Sequence, residues 1–216
     1  MKVKICCISS VEEALLAIDS GATELGLVGP MPSGPGVISE TLISEIVQIV
    51  PNHINTFLLT SETSTEKIVD QYNRVKTSTI QIVDELTDGS YQDLRDALPA
   101  TGLVQVIHVL DEGSLEMALQ IEKYVDYILL DSGNPNKAVK ELGGTGRTHD
   151  WQLSKKIADT VSIPVFLAGG LNPTNIHAAI STVRPYGVDL CSGVRSNNRL
   201  DKEKLIPFFE NIPLNV

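Results

Sequence analysis

Two residue types able to move protons stand out from the rest of the chain. Cys6 follows Lys4 by two positions in the run Val3-Lys4-Ile5-Cys6-Cys7-Ile8, and Asp131 closes the apolar run Tyr127-Ile128-Leu129-Leu130. A thiol and a carboxyl form an acid/base pair if the fold brings them to one place. A free thiol ionises near pH 8.5 and needs a cationic or hydrogen-bonding neighbour to be a thiolate at neutral pH. Lys4 shares a strand face with Cys6 and supplies such a neighbour. The same letters also fit a blander reading, in which Cys6 is a small buried hydrophobe and Asp131 ends a strand in a turn or caps a helix. Cys191 carries the same two readings. Cys7 is expected to face away with Val3 and Ile5 and to join the core.

Glycines supply the second kind of chemistry. Gly143-Gly144-Thr145-Gly146 lead into Arg147-Thr148-His149-Asp150-Trp151, Gly169-Gly170 follow an apolar run, and Ser192-Gly193 follow another. Such loops let a ligand approach the backbone, and N–H groups at helix N-termini hold phosphate. Gly144, Gly146, Gly169, Gly170, Ser192 and Gly193 are therefore candidate phosphate contacts. Glycines that let helices pack closely, or that form a flexible lid, read the same way.

The elements that must position these residues recur along the chain. Short apolar or alternating runs at 3–8, 24–28, 54–59, 80–83, 103–109, 127–131, 165–168 and 187–191 read as strands. Helical patterns follow each of them: 10–21 with Ser10 as cap, 39–50 with Ser39 as cap, 65–75, 91–98, 114–124, 149–160, a segment opened by Asn172-Pro173-Thr174, and 201–210. Eight strands alternating with eight helices predict an α/β fold, a single eight-stranded parallel (β/α) TIM barrel over residues 1–216, rather than an open sheet. Strand carboxyl ends converge at one mouth in that architecture, and the loops after strands seven and eight frequently bind phosphate there. The Gly/Pro-rich stretch from Gly29 to Gly36 is long enough to reach over the mouth.

The chain of 216 residues is 42% hydrophobic and 20% charged, as soluble proteins are, with a formal charge of -10. That charge excludes nucleic acid and anionic membrane as partners but not a phosphorylated small molecule held by a local nest of N–H groups. No apolar run has the length of a membrane span, and the first residues lack the form of a signal peptide, so the protein is expected to be cytoplasmic. Three cysteines, two of them adjacent, give no disulfide framework. No cluster has zinc-ligand spacing and no dinucleotide or Walker fingerprint follows a strand, so neither metal nor cofactor is expected. The four histidines are scattered, and His108 and His149 read as polar lining or surface.

Lys4-Ile5-Cys6, Leu129-Leu130-Asp131, the glycine loop into Asp150-Trp151, Ala168-Gly169-Gly170-Leu171 and Arg184-Pro185-Tyr186-Gly187-Val188-Asp189 running into Ser192-Gly193-Val194 are highly specific in this order. Together they resemble the phosphoribosylanthranilate isomerase family over essentially the whole chain. The resemblance implies the barrel, no cofactor, and an Amadori rearrangement of N-(5-phosphoribosyl)anthranilate to the 1-deoxyribulose form. It further implies Asp131 as the general acid that protonates the ribose ring oxygen, Cys6 as the base that removes the C2 proton, and substrate contacts from Lys4 and Asp189. A monomer or homodimer is expected.

Three motifs depart from the family pattern. Its Ser-Pro-Arg, whose arginine holds the anthranilate carboxylate, is here Gly34-Pro35-Gly36. Its Lys-Ile-Cys-Gly is Lys4-Ile5-Cys6-Cys7, and its Gln-Leu-His-Gly is Gln81-Ile82-Val83-Asp84. Arg147 or Arg195 could replace the missing arginine. Two other functions remain open: a relative acting on another phosphoribosyl-amine, and a barrel that binds a phosphorylated ligand without catalysis.

Overall fold

The computed structural model describes residues 1–32, 34–133 and 146–213. Eight parallel strands close into a barrel in sequence order: β1 (Lys2–Ile5), β2 (Glu24–Val28), β3 (Asn55–Thr60), β4 (Thr79–Ile82), β5 (Gly102–His108), β6 (Tyr127–Asp131), β7 (Val165–Leu167) and β8 (Gly187–Leu190). The helices are α1 (Val11–Asp19), α2 (Glu40–Ile49), α3 (Thr65–Val75), α4 (Tyr91–Ala97), α5 (Gly113–Ile121), α6 (Trp151–Thr160), α7 (Ile176–Val183) and α8 (Lys202–Glu210). The predicted architecture is therefore the observed one.

Local chemistry sets the helix starts. Ser10 accepts from the Glu13 N–H at 3.2 Å, Ser39 from Leu42 N–H at 3.2 Å, and Asp150 from Gln152 and Leu153 N–H groups at 2.8 and 3.3 Å. Each satisfies donors that the first turn leaves without intrahelical partners. Helix α7 begins later than expected, at Ile176. Asn172 is occupied in a turn instead, its side chain accepting from the Thr174 N–H at 2.9 Å.

Strand alternation divides the apolar residues into two layers. Ile5, Leu25, Leu58, Ile107, Leu130 and Val188 face the helices. Phe57, Leu59, Val104, Val106, Leu129, Phe166 and Ala168 fill the barrel interior. Phe166 meets Phe57 and Tyr127 edge-on at centroid distances of 6.0 and 5.7 Å, a favoured aromatic geometry. Above this packed floor, at the carboxyl ends of the strands, lies a cavity.

Two features differ from the sequence expectation. β1 ends at Ile5, not Ile8: the Cys6 N–H bonds Leu190 O at 2.7 Å and the chain rejoins β2 only where Ile8 N–H bonds Gly26 O at 3.1 Å. Between them Cys7 adopts a left-handed φ of 61°. After β8 a short 3-10 turn (Ser192–Val194) runs into an unanticipated hairpin of β9 (Arg195–Ser196) and β10 (Arg199–Leu200). Asn197 and Asn198 make its turn at φ 51° and 62°, which asparagine tolerates better than most residues.

Candidate active site

Cys6, Asp131, Gly146, Gly169, Gly170, Asp189 and Ser192 line one cavity at the barrel mouth. Met31, Gly34 and Pro35 come over it from the loop after β2, as the length of that loop suggested, and Val28, Leu59 and Val83 complete an apolar side. The loop closes back on its strand through the Ile38 N–H to Val28 O bond at 2.9 Å. Gly143, Gly144 and Thr145 lie outside the described residues.

Asp131 ends β6 and is 8% exposed. Burial pushes its carboxyl up to about 6, opposed by the Ser132 N–H, which donates to it at 2.7 Å. A carboxyl so placed holds or gives up a proton near neutral pH.

Cys6 is buried, and its thiol is held below its ordinary value. The largest cause is hydrogen bonding from the Cys7 thiol, 3.9 Å away, which outweighs burial; the Lys4 charge and the Cys7 N–H add to it. Lys4 itself lies below the cavity wall, fully buried, and not in it. Its register partner on β8 is Asp189, and the two side chains form an ion pair at 3.0 Å. Burial would push Lys4 down, but Asp189 and Cys6 outweigh it and keep the ammonium charged. Lys4, expected as a substrate contact, is thus absent from the cavity lining and adjoins it through Asp189 and Cys6. Gly26 makes this possible: a β-carbon there would stand 2.8 Å from the Cys6 sulfur and 2.9 Å from the Lys4 nitrogen. A glycine inside a strand was the available signal for that close approach.

Cys7 also departs from expectation. Its left-handed turn brings the thiol into the cavity wall, 2.6 Å from the sulfur of Cys191. That contact, the Cys6 neighbour and burial all push the Cys7 thiol well up, so it stays protonated as a donor.

Of the phosphate candidates, Gly146, Gly169, Gly170 and Ser192 meet at the rim. Gly169 and Gly170 take φ 79° and 63°, and a β-carbon on Gly170 would lie 2.5 Å from the Arg147 carbonyl carbon. Among the described residues, the N–H groups of Gly169, Gly170 and Ser192 make no backbone hydrogen bond outside the regular elements. Gly193 stands one layer back, where a β-carbon would be 1.9 Å from the Leu171 carbonyl oxygen. Its missing side chain lets the loops after β7 and β8 close on each other. His149 is half-buried against Gly169; burial pushes it down to about 4, so it is neutral, and Nε2 lies 2.7 Å from Ser154 Oγ.

Arg195 is not available to hold a carboxylate in the cavity. Its guanidinium donates to Glu13 at 3.1 and 2.9 Å and to the carbonyl oxygens of Cys6, Cys7 and Asn198. Arg147 is exposed beside the glycine rim. Among the described residues no group of His, Cys, Asp and Glu is placed to hold a metal ion, and no helix is long and apolar enough to cross a membrane.

A family model described as N-(5'phosphoribosyl)anthranilate (PRA) isomerase matches residues 3–211. N-(5'-phosphoribosyl)anthranilate isomerase 2 of Methanosarcina mazei is 35% identical over 210 residues, 96% of this chain and 92% of its own. The isomerase of Nostoc punctiforme is 35% identical over 214 residues, 98% of each chain. Among solved structures, phosphoribosyl anthranilate isomerase from Thermotoga maritima superposes with a TM-score of 0.82 at 30% identity, over 98% of both chains. A phosphoribosyl anthranilate isomerase in complex with reduced 1-(o-carboxyphenylamino)-1-deoxyribulose 5-phosphate gives 0.80 at 28% identity, over 98% of this chain and 97% of that one.

Proposed function

The chain belongs to the phosphoribosylanthranilate isomerase family, and from that premise we propose how its barrel mouth isomerises N-(5'-phosphoribosyl)anthranilate in tryptophan biosynthesis. The observation that carries the reading is a single cavity lined by a carboxyl pushed up to about 6 and a thiol held down. Asp131 gives its proton to the ribose ring oxygen as the C1–O bond breaks and the aniline nitrogen lone pair forms the iminium. Cys6, as thiolate, takes the proton from C2, and the C–H electron pair moves to give the enolamine. Proton return to C1 and loss of the C2 hydroxyl proton leave the ketone, so atoms and electrons balance within the substrate and no redox partner enters. Each positioned proton transfer contributes about 10²–10⁴-fold. Asp189, in the cavity wall and fixed by Lys4, is the group we place near the amine and ribose hydroxyls.

What lines the cavity supports an assignment of the two ends of the substrate. N–H groups at Gly146, Gly169, Gly170 and Ser192 suit the phosphate. Met31, Leu59 and Val83 offer the aromatic ring an apolar wall. A barrel that only binds a phosphorylated ligand needs neither the raised carboxyl nor the lowered thiol.

Purified protein is expected to consume N-(5'-phosphoribosyl)anthranilate, followed by loss of its fluorescence, and its gene to restore growth of a tryptophan auxotroph lacking this isomerase. No turnover together with no growth refutes the function.

Gly193→Ala tests the phosphate end. The added methyl meets the Leu171 carbonyl, which must move and take the Gly169-Gly170 rim with it. KM is expected to rise roughly tenfold or more, the loss of one charge-assisted hydrogen bond, with a smaller change in kcat. An unchanged KM places the phosphate elsewhere.

A further inference from the structure

One guanidinium reaches the backbone on which Cys6 is mounted. Arg195, the first residue of β9, donates through Nη2 to the carbonyl oxygen of Cys6 at 3.4 Å and to that of Cys7. The same nitrogen meets Glu13 Oε2 at 2.9 Å, and Nη1 meets Glu13 Oε1 at 3.1 Å and the Asn198 carbonyl at 2.9 Å. Glu13, on α1, also accepts from the Ser9 N–H at 3.0 Å and the Leu200 N–H at 2.8 Å. The two side chains are only 8% and 11% exposed. They therefore join the segment after β1, the start of α1 and the hairpin after β8 into one hydrogen-bonded unit.

The segment they hold is one that relaxes without restraint. Cys7 keeps φ 61° although its β-carbon disfavours that region, and such conformations persist only where surrounding contacts enforce them. The turn has a consequence for Cys6, because it directs the N–H and thiol of Cys7 at the Cys6 sulfur. We propose that Arg195, itself held by Glu13, is a positioning residue for the isomerisation, gripping the Cys6 and Cys7 carbonyls so that the Cys6 thiol faces the cavity with its donors in place.

This role rests on Cys6 being the base, and it is geometric. Glu13 balances the guanidinium charge, and Lys4 on β1, Asp189 on β8, Asp131 on β6 and the Cys191 thiol are not mounted on the gripped turn, so that only the N–H and thiol of Cys7 shift relative to Cys6 when Arg195 is replaced. A change in the titration of Cys6 then reports the turn.

Arg195→Lys keeps the charge opposite Glu13 but lacks the planar fork that spans two carbonyls and a carboxylate. Its kcat is expected to fall at least about tenfold with KM within about threefold, the pattern of a lost transition-state contribution. Iodoacetamide labelling of Cys6, read by peptide mass spectrometry across pH, is expected to move its midpoint upward, and the acid limb of kcat/KM should move with it. Glu13→Gln should act in the same direction, and the double variant should be no worse than either alone, as expected of one coupled unit. Should Arg195→Lys not fold, Glu13→Asp, which shortens the reach and keeps the charge, gives the same readings. Wild-type kcat and an unmoved midpoint overturn the proposal. So does a fall in kcat with no movement of the Cys6 titration, since that is what a purely structural pair produces. Cys6→Ala is the control: near wild-type turnover there refutes the base and the positioning role together, whereas an inactive Cys6→Ala beside an unaffected Arg195→Lys refutes only the latter.

Discussion

Replacing Asp131 with asparagine is expected to remove turnover and to stabilise the folded protein at neutral pH. The first effect follows from the loss of the group that protonates the ring oxygen, about 10²–10⁴-fold in kcat, and Cys6→Ala should lose a similar factor at the other proton. The second belongs to Asp131 alone. Its carboxyl moves from an ordinary 3.8 to about 6 because burial penalises the charged form. The folded state thus binds this proton more tightly than the unfolded state does. Below 3.8 both states are protonated and there is no penalty; as pH rises towards 6 the unfolded state ionises first and stability falls; above 6 the full penalty of about 3 kcal/mol is present. Asparagine is neutral throughout, and its side-chain oxygen still accepts the Ser132 N–H bond. Thermal melts should therefore show Asp131→Asn above the wild type at pH 8 and level with it near pH 3.5. A variant equally stable or weaker at pH 8 would mean that Asp131 is not raised, and carboxyl carbon chemical shifts, expected to titrate near 6, decide the matter independently.

Most of what positions these groups was legible because it rests on local chemistry. Short apolar or alternating runs marked all eight strands, and Ser10 and Ser39 announced their helices as caps. Asp131 fell at the end of β6 as read. The misreadings arose where a third element decides. Alternation puts Cys7 with Ile5 only while the strand continues, and the chain leaves the ladder after Ile5. The sequence likewise does not show that the register of β1 with β8 sets Lys4 opposite Asp189. Nothing near Arg195 in the sequence points to Glu13 or to two carbonyls 188 and 189 residues away.

The same long-range dependence changes what the absent carboxylate anchor implies. Gly36 stands where the family resemblance expects arginine, and Cys7 where it expects glycine. In the structure these two positions touch: a β-carbon on Gly36 would lie 2.5 Å from the Cys7 β-carbon and 2.9 Å from its α-carbon, with Gly36 at φ 75°. One of the two must be small. Gly36→Arg alone is therefore expected not to create the anchor. It adds overpacking of about 1–3 kcal/mol and a left-handed penalty of about 1–2 kcal/mol, lowers Tm, and raises KM by distorting the loop over the cavity. Cys7→Gly with Gly36→Arg removes the 2.5 Å contact with the β-carbon, leaves a 2.9 Å approach to the α-carbon of residue 7 that a small shift of the loop must relieve, and gives the turn at residue 7 a glycine suited to φ 61°. A charged hydrogen bond to the anthranilate carboxylate is worth about 1.5–3 kcal/mol, so KM in the double variant should fall roughly tenfold below wild type. Its kcat should drop as well, because the thiol beside Cys6 is gone. Steady-state kinetics of the wild type, both single variants and the double variant separate these effects. A lower KM in Gly36→Arg alone would show that Cys7 is no obstacle. A double variant with the wild-type KM would show instead that another group already holds the carboxylate, and Arg147, beside the Gly170 backbone at the rim, is the first to replace in that case.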